Sequence, residues 1–347
     1  MTTDTSERGL ERLICTALTG HPCDPPAPDE AREVPLAYGG VGWIGGDPDD
    51  YDREYCVDLK QLSAFLNKTQ PEVAHALALD DDGPTRRNFL ARLQGEISKR
   101  GTIDVLRHGI KHGAHDVDLF YATPSSGNER AKALYEANRF SVTRQLRYSG
   151  DETELALDLV LLINGLPIAT FELKNNLTKQ TVDDAVWQYK KDRNPRERLF
   201  EFGRCVAHFA VDDNEVMFCT HLKGKASWFL PFNLGWNDGR GNPPNPHGLK
   251  TDYLWKQALT RDSLTNILEN YAQVIEYKDE KTGRKKKRQI WPRYHQLDVV
   301  RKLLADAATE GAGKRYLIQH SAGSGKSFSI AWLAHQLIGL NKDDKLV

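Results

Sequence analysis

The sequence predicts an α/β protein, and three observations carry that prediction. Apolar residues recur at helical spacing along much of the chain, a stretch of strand period interrupts them between Arg139 and Lys174, and the order strand, glycine loop, helix is expected near the C-terminus.

The elements follow in order. Leu10, Ile14 and Leu18 set an amphipathic helix over Glu7 to Leu18, with His21-Pro22 behind it. Pro22 to Asp52, rich in Pro, Gly and Asp, reads as an irregular excursion or short strands. Leu59 to Leu66 and Arg86 to Lys99 read as helices, and Asn164-Gly165 marks a hairpin between two apolar runs. Val182 to Lys191 is helical again and is ended by Asn194-Pro195. Cys205 to Ala210 and Glu215 to Thr220 are short strands, Gly235 to Gly248 is a loop, and Asp262 to Ala272 is a helix. A basic linker then leads to a helix from Gln296 to Ala307, a strand at Tyr316 to Gln319, a glycine loop and a last helix.

Composition narrows the class. The 347 residues are 39% hydrophobic and 27% charged, enough apolar mass for a real core. A net charge of −1 removes any global basic field, so positive charge for a nucleic-acid partner must be confined to one cleft. Cys15, Cys23, Cys56, Cys205 and Cys219 lack metal-ligand spacing and read as free thiols in a reducing cytoplasm. The N-terminus has no secretory signal pattern, and the most apolar stretch is broken by Asp158, Asn164, Gly165 and Pro167, so no membrane partner is expected.

The chemistry-bearing residues begin with Asp158 in LALDLVLLI and with Glu172 and Lys174 in IATFELK. A charge inside an apolar strand is costly unless it has a partner. Two carboxylates on paired strands make an oxygen-rich site suited to Mg²⁺, and Lys174, two residues on, shares the face of Glu172. Register decides whether they meet. A two-residue turn at Asn164-Gly165 sets Phe171 opposite Asp158, whereas a three-residue turn through Leu166, or an equivalent bulge, sets Glu172 there. The longer turn or such a bulge is therefore expected. Gln188 on the following helix is a candidate contact to the site or to DNA, and Glu11 on the first helix is a candidate third metal ligand.

Near the C-terminus, RYLIQHSAGSGKSFSIAWLAHQL keeps a Gly-x-Gly-Lys-Ser core, with His320 where the general phosphate-loop motif has its first glycine. Backbone N–H groups around Gly323, Ser324 and Gly325 would cradle phosphates, Lys326 would reach them, and the Ser327 hydroxyl would ligate Mg²⁺. Gln296, ahead of this loop, is a candidate reader of an adenine edge. Gly40 to Gly45 matches a dinucleotide fingerprint only as letters: Gly46-Asp47-Pro48 follows instead of a helix, so it reads as a loop.

Together these segments resemble the R (restriction) subunit of type I restriction–modification enzymes. LDLVLLINGLPIATFELKN resembles that family's nuclease motif, GRGNPPNPHGLKTDYLW and ALTRDSLTNILENY its connecting segment, and WPRYHQLDVVRKLL with YLIQHSAGSGKS the start of its motor. The resemblance implies a restriction-endonuclease-like PD-(D/E)xK core, a mixed sheet flanked by helices, followed by the truncated start of a RecA-like P-loop lobe. It implies catalytic roles for Asp158, Glu172, Lys174 and Gln188, Mg²⁺ at Asp158 and Glu172, and ATP at Gln296 and residues 323–327 once the motor is complete. Members carry a Gln-x-x-x-Tyr element after the lysine, whereas here Asp192 stands in the tyrosine's position. Expected partners are double-stranded DNA and the methylation and specificity subunits. The expected division is a nuclease domain with its connecting segment over 1–276, a basic linker over 277–290 and an incomplete motor over 291–347. With about twenty residues after Lys326, the chain is expected to be an N-terminal fragment or truncated reading frame that does not hydrolyse ATP. Two alternative readings are a free-standing Mg-dependent nuclease with a vestigial tail and a non-catalytic DNA-binding or assembly module.

Overall fold

The computed structural model describes residues 7–21, 42–151, 154–175, 178–280, 282–311, 313–342 and 345–346. A mixed seven-stranded sheet forms its centre, in the order β1-β6-β7-β8-β9-β10-β11. These strands are β1 (Ile44–Gly45), β6 (Phe140–Arg147), β7 (Ala156–Ile163), β8 (Leu166–Leu173), β9 (Ala207–Val211), β10 (Val216–Cys219) and β11 (Leu230–Pro231). β1 runs parallel to β6 and β8 parallel to β9, and the other neighbours are antiparallel.

Two apolar layers cover the sheet, as expected of strands that are hydrophobic on both faces. On one face, Leu159, Leu161, Phe171 and Phe209 join a large cluster. It takes in α1 (Glu7–Thr19), α2 (Leu59–Thr69), α3 (Pro71–Leu77), α4 (Pro84–Arg100), α5 (Thr102–His108) and α8 (Arg261–Asn270). On the other, Val160, Leu162 and Ala210 pack with Val182, Ala185 and Tyr189 of α7 (Val182–Lys191). Two small antiparallel pairs, β2 (Tyr51–Asp52) with β3 (Val57–Asp58) and β4 (Ile110–His112) with β5 (His115–Val117), and the short α6 (Glu129–Glu136) complete this part. α3, α5, α6 and the β4–β5 pair had no distinct sequence signal.

Several expectations change. Residues 277–290 were expected as a linker, but β12 (Gln273–Lys278) and β13 (Lys285–Ile290) pair as a hairpin. Gln289 is buried, and its Nε2 donates to the carbonyls of Cys205 (2.7 Å) and Val206 (3.0 Å), which seats the hairpin beside β9. The physical reason is a single change of environment along β13: Lys285 to Arg288 stay in water, whereas Gln289, Ile290 and Trp291 in succession bury against the core. The main apolar cluster then runs on through Trp291, through Leu297 and Val300 of α9 (Tyr294–Glu310), and to Trp332 of α10 (Lys326–Leu337).

Tyr316 to Gln319, expected as a strand, has no strand partner among the described residues, and Leu317 is 94% exposed. An apolar run becomes a buried parallel strand only with neighbours on both sides. Within the dinucleotide-like segment, Ile44–Gly45 form the short β1, and most of the excursion before it lies outside the described residues. Cys15 is disulfide-bonded, while Cys56, Cys205 and Cys219 are free and buried, so the free-thiol reading holds for those three. Spacing along the chain says nothing of proximity in space. Among the described residues, no helix is long and apolar enough to cross a membrane.

Candidate active site

The β7–β8 hairpin sets the geometry. Its turn has two residues: Ile163 pairs with Leu166, and Asn164 (φ 51°) and Gly165 (φ 82°) both lie in the left-handed region. Such a turn matches the twist of the flanking strands, and it corrects the three-residue turn expected above. The turn is buried. Asn164 Nδ2 donates to the Leu119 carbonyl and to Asn138 Oδ1, both at 2.9 Å, and the Gly165 carbonyl accepts from Asp58 N at 2.9 Å.

The register is then restored by a bulge. Leu162 pairs with Pro167, but Leu161 pairs with Ala169, so Ile168 is an extra residue on β8. Pro167 has no N–H to give to the ladder, and prolines within sheets fall at edges and bulges for that reason. Beyond the bulge Leu159 faces Phe171, and the same register continued by one residue sets Asp158 across from Glu172. The equivalent bulge named as the alternative to a longer turn is what the hairpin uses.

Both carboxylates lie on the face that α7 covers. Asp158 Oδ2 accepts from the backbone N–H of Leu173 at 2.7 Å. Glu172 is fully buried: Oε1 accepts from Arg193 Nε at 2.5 Å, and Oε2 has no hydrogen-bond partner. Burial first, and then the negative charge of Asp158, push the Glu172 carboxyl up to about 8 against the pull of Arg193 and Lys174. Burial also opposes the Arg193 charge, but Glu172 and Tyr148 outweigh it and the guanidinium stays protonated. The upward direction for Glu172 stands, because desolvation of a fully buried carboxylate exceeds the return from one ion pair. Lys174 follows the end of β8, 8% exposed, with its backbone N–H on the Val211 carbonyl at 2.8 Å.

Glu11 is brought close but is separately held. It is buried at 1% exposure, with Gln145 Nε2 on Oε1 at 2.6 Å and Arg144 Nε on Oε2 at 3.2 Å. Its carboxyl is raised by burial and then by Asp158, which puts it in the same field. Yet no group of three or more His, Cys, Asp or Glu able to hold a metal occurs among the described residues, so Glu11 does not close a three-ligand shell with the other two. Gln188 is half-buried on α7 and its side chain makes no hydrogen bond to Asp158, Glu172 or Lys174. Its neighbour Tyr189 is the residue turned to the sheet, with its hydroxyl 2.8 Å from Thr170 Oγ1.

Chemically, two adjacent carboxylates with a buried, unpartnered oxygen fit a hard divalent cation. Sequence reasoning missed Arg193 and Gln145. Arg193 sits in the charged run from Lys190 to Arg198, without spacing to recommend it over its neighbours, and only the fold joins it to Glu172. Gln145 sits at φ 48° within β6, a strained position for a residue with a side chain and invisible in one dimension.

The glycine-loop residues also assemble. Gln296 Nε2 donates to the Gly325 carbonyl (2.9 Å), and His295 Nε2 lies 3.1 Å from the Ser324 carbonyl. Gly325 sits at φ +84°, a left-handed conformation that favours glycine, with the flexible end of the Gln296 side chain close beside it. Lys326 Nζ donates to the His320 (2.9 Å) and Ser321 (3.1 Å) carbonyls, Ser327 is exposed, and Gly323 joins Ser324 and Gly325 in the wall of a cavity of about 480 Å³. That wall includes Lys223, Lys287, Arg288 and Arg293 and contains no carboxylate among the described residues. The cavity belongs to the loop and leaves Asp158 and Glu172 outside it.

Residues 68–227 match a family described as the type I restriction enzyme R protein N terminus, and this span holds Asp158, Glu172, Lys174, Gln188 and Arg193. A curated relative, the type I restriction enzyme MjaVIIIP endonuclease subunit of Methanocaldococcus jannaschii, is 26% identical over 210 residues. That match covers 57% of this chain and 18% of the relative, so the chain spans under a fifth of the relative's length. With the hairpin motif inside the matched span, the chain is similar over residues 68–227 to the N-terminal region of type I restriction enzyme R proteins.

Proposed function

We propose that this chain supplies the nuclease centre of a type I restriction–modification enzyme and hydrolyses phosphodiester bonds in duplex DNA. One observation carries the reading: a bulge at Ile168 restores the register that sets Asp158 across from Glu172, and Glu172 Oε2 is left buried without a partner. The fold would then be a restriction-endonuclease-like PD-(D/E)xK core. Asp158 and Glu172 are the residues that would hold Mg²⁺. When bound, such a cation supplies Lewis-acid stabilisation of the charge that develops on the phosphate. Lys174, on the same face as Glu172, orients the attacking water or offsets negative charge at the scissile phosphate. α7 shields that face from bulk solvent, which strengthens each charge interaction there. Glu11 acts through the shared field rather than as a ligand.

In the same reading, residues 323–327 with Gln296 bind ATP as the opening of a RecA-like lobe, and the acid-free cavity beside them suits a polyphosphate. In a complete enzyme, ATP-driven translocation would precede cleavage, and methylation and specificity subunits would choose the site. The test is nicking or linearisation of plasmid DNA with Mg²⁺, by the chain alone and in complex with those subunits. Cleavage by the chain alone favours a free-standing nuclease. Cleavage only in the complex, abolished by Asp158→Ala, supports the restriction reading. Restriction of phage by a Lys174→Ala complex at the wild-type level makes the module a non-catalytic one.

A further inference from the structure

Arg193 lies immediately beyond α7 and its C-cap Asp192, 5% exposed on its side chain, and its guanidinium is fixed at three places. Nε donates to Glu172 Oε1 at 2.5 Å, one terminal nitrogen donates to the Ala156 carbonyl at 2.7 Å, and the other lies 3.5 Å from the Tyr148 hydroxyl. The guanidinium carbon also stands 5.7 Å from the centre of the Tyr148 ring. Ala156 is two residues before Asp158 on β7, so one planar group ties the backbone beside the first carboxylate to the side chain of the second. A planar fork anchored in this way fixes orientation as well as charge. Its consequence for Glu172 is asymmetric: one oxygen is engaged, and the other, in a fully buried side chain, has no partner.

We infer that Arg193 makes Glu172 a one-oxygen ligand and thereby biases the carboxylate centre toward Mg²⁺ over Ca²⁺. The two ions ask for different things from a carboxylate. Ca²⁺ accepts six to eight oxygens in flexible geometry and readily takes a carboxylate through both oxygens as well as through one, whereas Mg²⁺ requires near-ideal octahedral geometry at shorter distance. With Oε1 bound to Arg193, Glu172 cannot chelate through both oxygens, and the arrangement available to it is the one Mg²⁺ prefers. Arg193 is thus a positioning residue that acts through Glu172, and its role presupposes the metal centre proposed above.

The experiment is Mn²⁺ uptake by the purified chain, followed by electron paramagnetic resonance, with Mg²⁺ and Ca²⁺ as separate competitors. Wild type, Arg193→Ala, Arg193→Lys and Glu172→Gln are compared, with folding of each checked by circular dichroism. In wild type Mg²⁺ displaces Mn²⁺ at lower concentration than Ca²⁺ does. In Arg193→Ala the ratio of the two competition constants shifts toward Ca²⁺ by about tenfold, the scale on which residues behind a ligand tune metal affinity. Arg193→Lys keeps the charge but lacks the fork to Ala156, so its ratio shifts in the same direction; it also carries the test if the alanine variant does not fold. Both ions are divalent, so lost charge or general loosening moves their affinities in step. A change in step, with the ratio unaltered, overturns the role of Arg193 while leaving the centre standing. Wild-type protein that takes up no Mn²⁺, or uptake indifferent to Glu172→Gln, overturns the metal centre itself and this role with it.

Discussion

Glu172 and the glycine loop of residues 323–327 are both held by side chains distant in sequence, but in opposite surroundings. Glu172 is sealed in the sheet, bonded to Arg193, and within the field of Asp158 and Lys174. Lys326 is exposed, and its amine turns back onto carbonyls of its own loop, with α9 contributing Gln296 and His295 as neighbours. A buried carboxylate has no water to fall back on, so the fold has to build its partners from several elements. The amine of Lys326 is satisfied by solvent and by carbonyls of its own loop, although Ser324 two residues before it is buried. The buried site should therefore respond sharply to single changes and the loop weakly.

The largest effect expected is on chemistry. Lys174→Ala should lower cleavage by the assembled enzyme roughly 10²–10³-fold, the usual cost of removing one charge aimed at a developing oxyanion. Asp158→Ala should match or exceed it. Single-turnover cleavage of plasmid DNA measures both, with thermal melting to show that the fold survives. Activity within a factor of two of wild type in both variants would remove the distinction between the two regions.

The scaffold comes next. A Cβ on Gly165 would stand 2.3 Å from the Asp58 carbonyl oxygen at φ +82°, so Gly165→Ala must break the buried turn. We expect a loss of about 2–4 kcal/mol in urea denaturation. A cost below about 0.5 kcal/mol would mean that the turn tolerates another geometry and that register is not set there.

How far this was legible in the sequence depends on the kind of signal. The helices at Glu7–Thr19 and Val182–Lys191 and the hairpin at Asn164-Gly165 follow from period and turn chemistry, which are local. The alignment of Asp158 with Glu172 was predictable, but the sequence reading left the device open between a longer turn and a bulge, and the hairpin uses the bulge. Pro167 was the clue to a bulge, since a residue without an N–H cannot serve in the middle of a ladder. Arg193 and Gln145 were out of reach because their roles exist only across long sequence separations, 21 residues to Glu172 and 134 to Glu11. The hairpin β12–β13 was hidden by charge: Lys285 to Arg288 look like a solvated linker, and they are solvated, but on a strand whose last residues bury.

A pH experiment comes third. The Glu172 carboxyl rises from its ordinary value of 4.5 to about 8 through burial and then the charge of Asp158. Between those two values the metal-free folded state holds a proton that the unfolded chain has released. Stability from this group is therefore greatest below the lower value and declines as pH rises toward 8, by on the order of 2 kcal/mol after relaxation around the buried pair. Urea midpoints from pH 5 to 8.5 should show the decline in wild type and a flatter profile in Glu172→Gln. The slope is the readout, since the variant also strips Arg193 of its counter-charge and is less stable throughout. Equal slopes in both proteins would mean that Glu172 is ionised across the whole range and that Arg193 dominates it.

The smallest effect tests the other half of the comparison. Lys326 Nζ is exposed and bonded only to carbonyls of its own loop, groups that water serves as well. Lys326→Ala should therefore leave urea stability within about 0.5 kcal/mol of wild type. The same replacement should abolish any rise in melting temperature produced by Mg·ATP, because the amine that now closes the loop is the one that must turn outward to meet a phosphate. Neutral stability with a lost ligand response is the signature of a loop shaped for a ligand. A stability loss above about 1 kcal/mol would instead make the lysine a structural clasp, and the contrast with Glu172 would be one of degree.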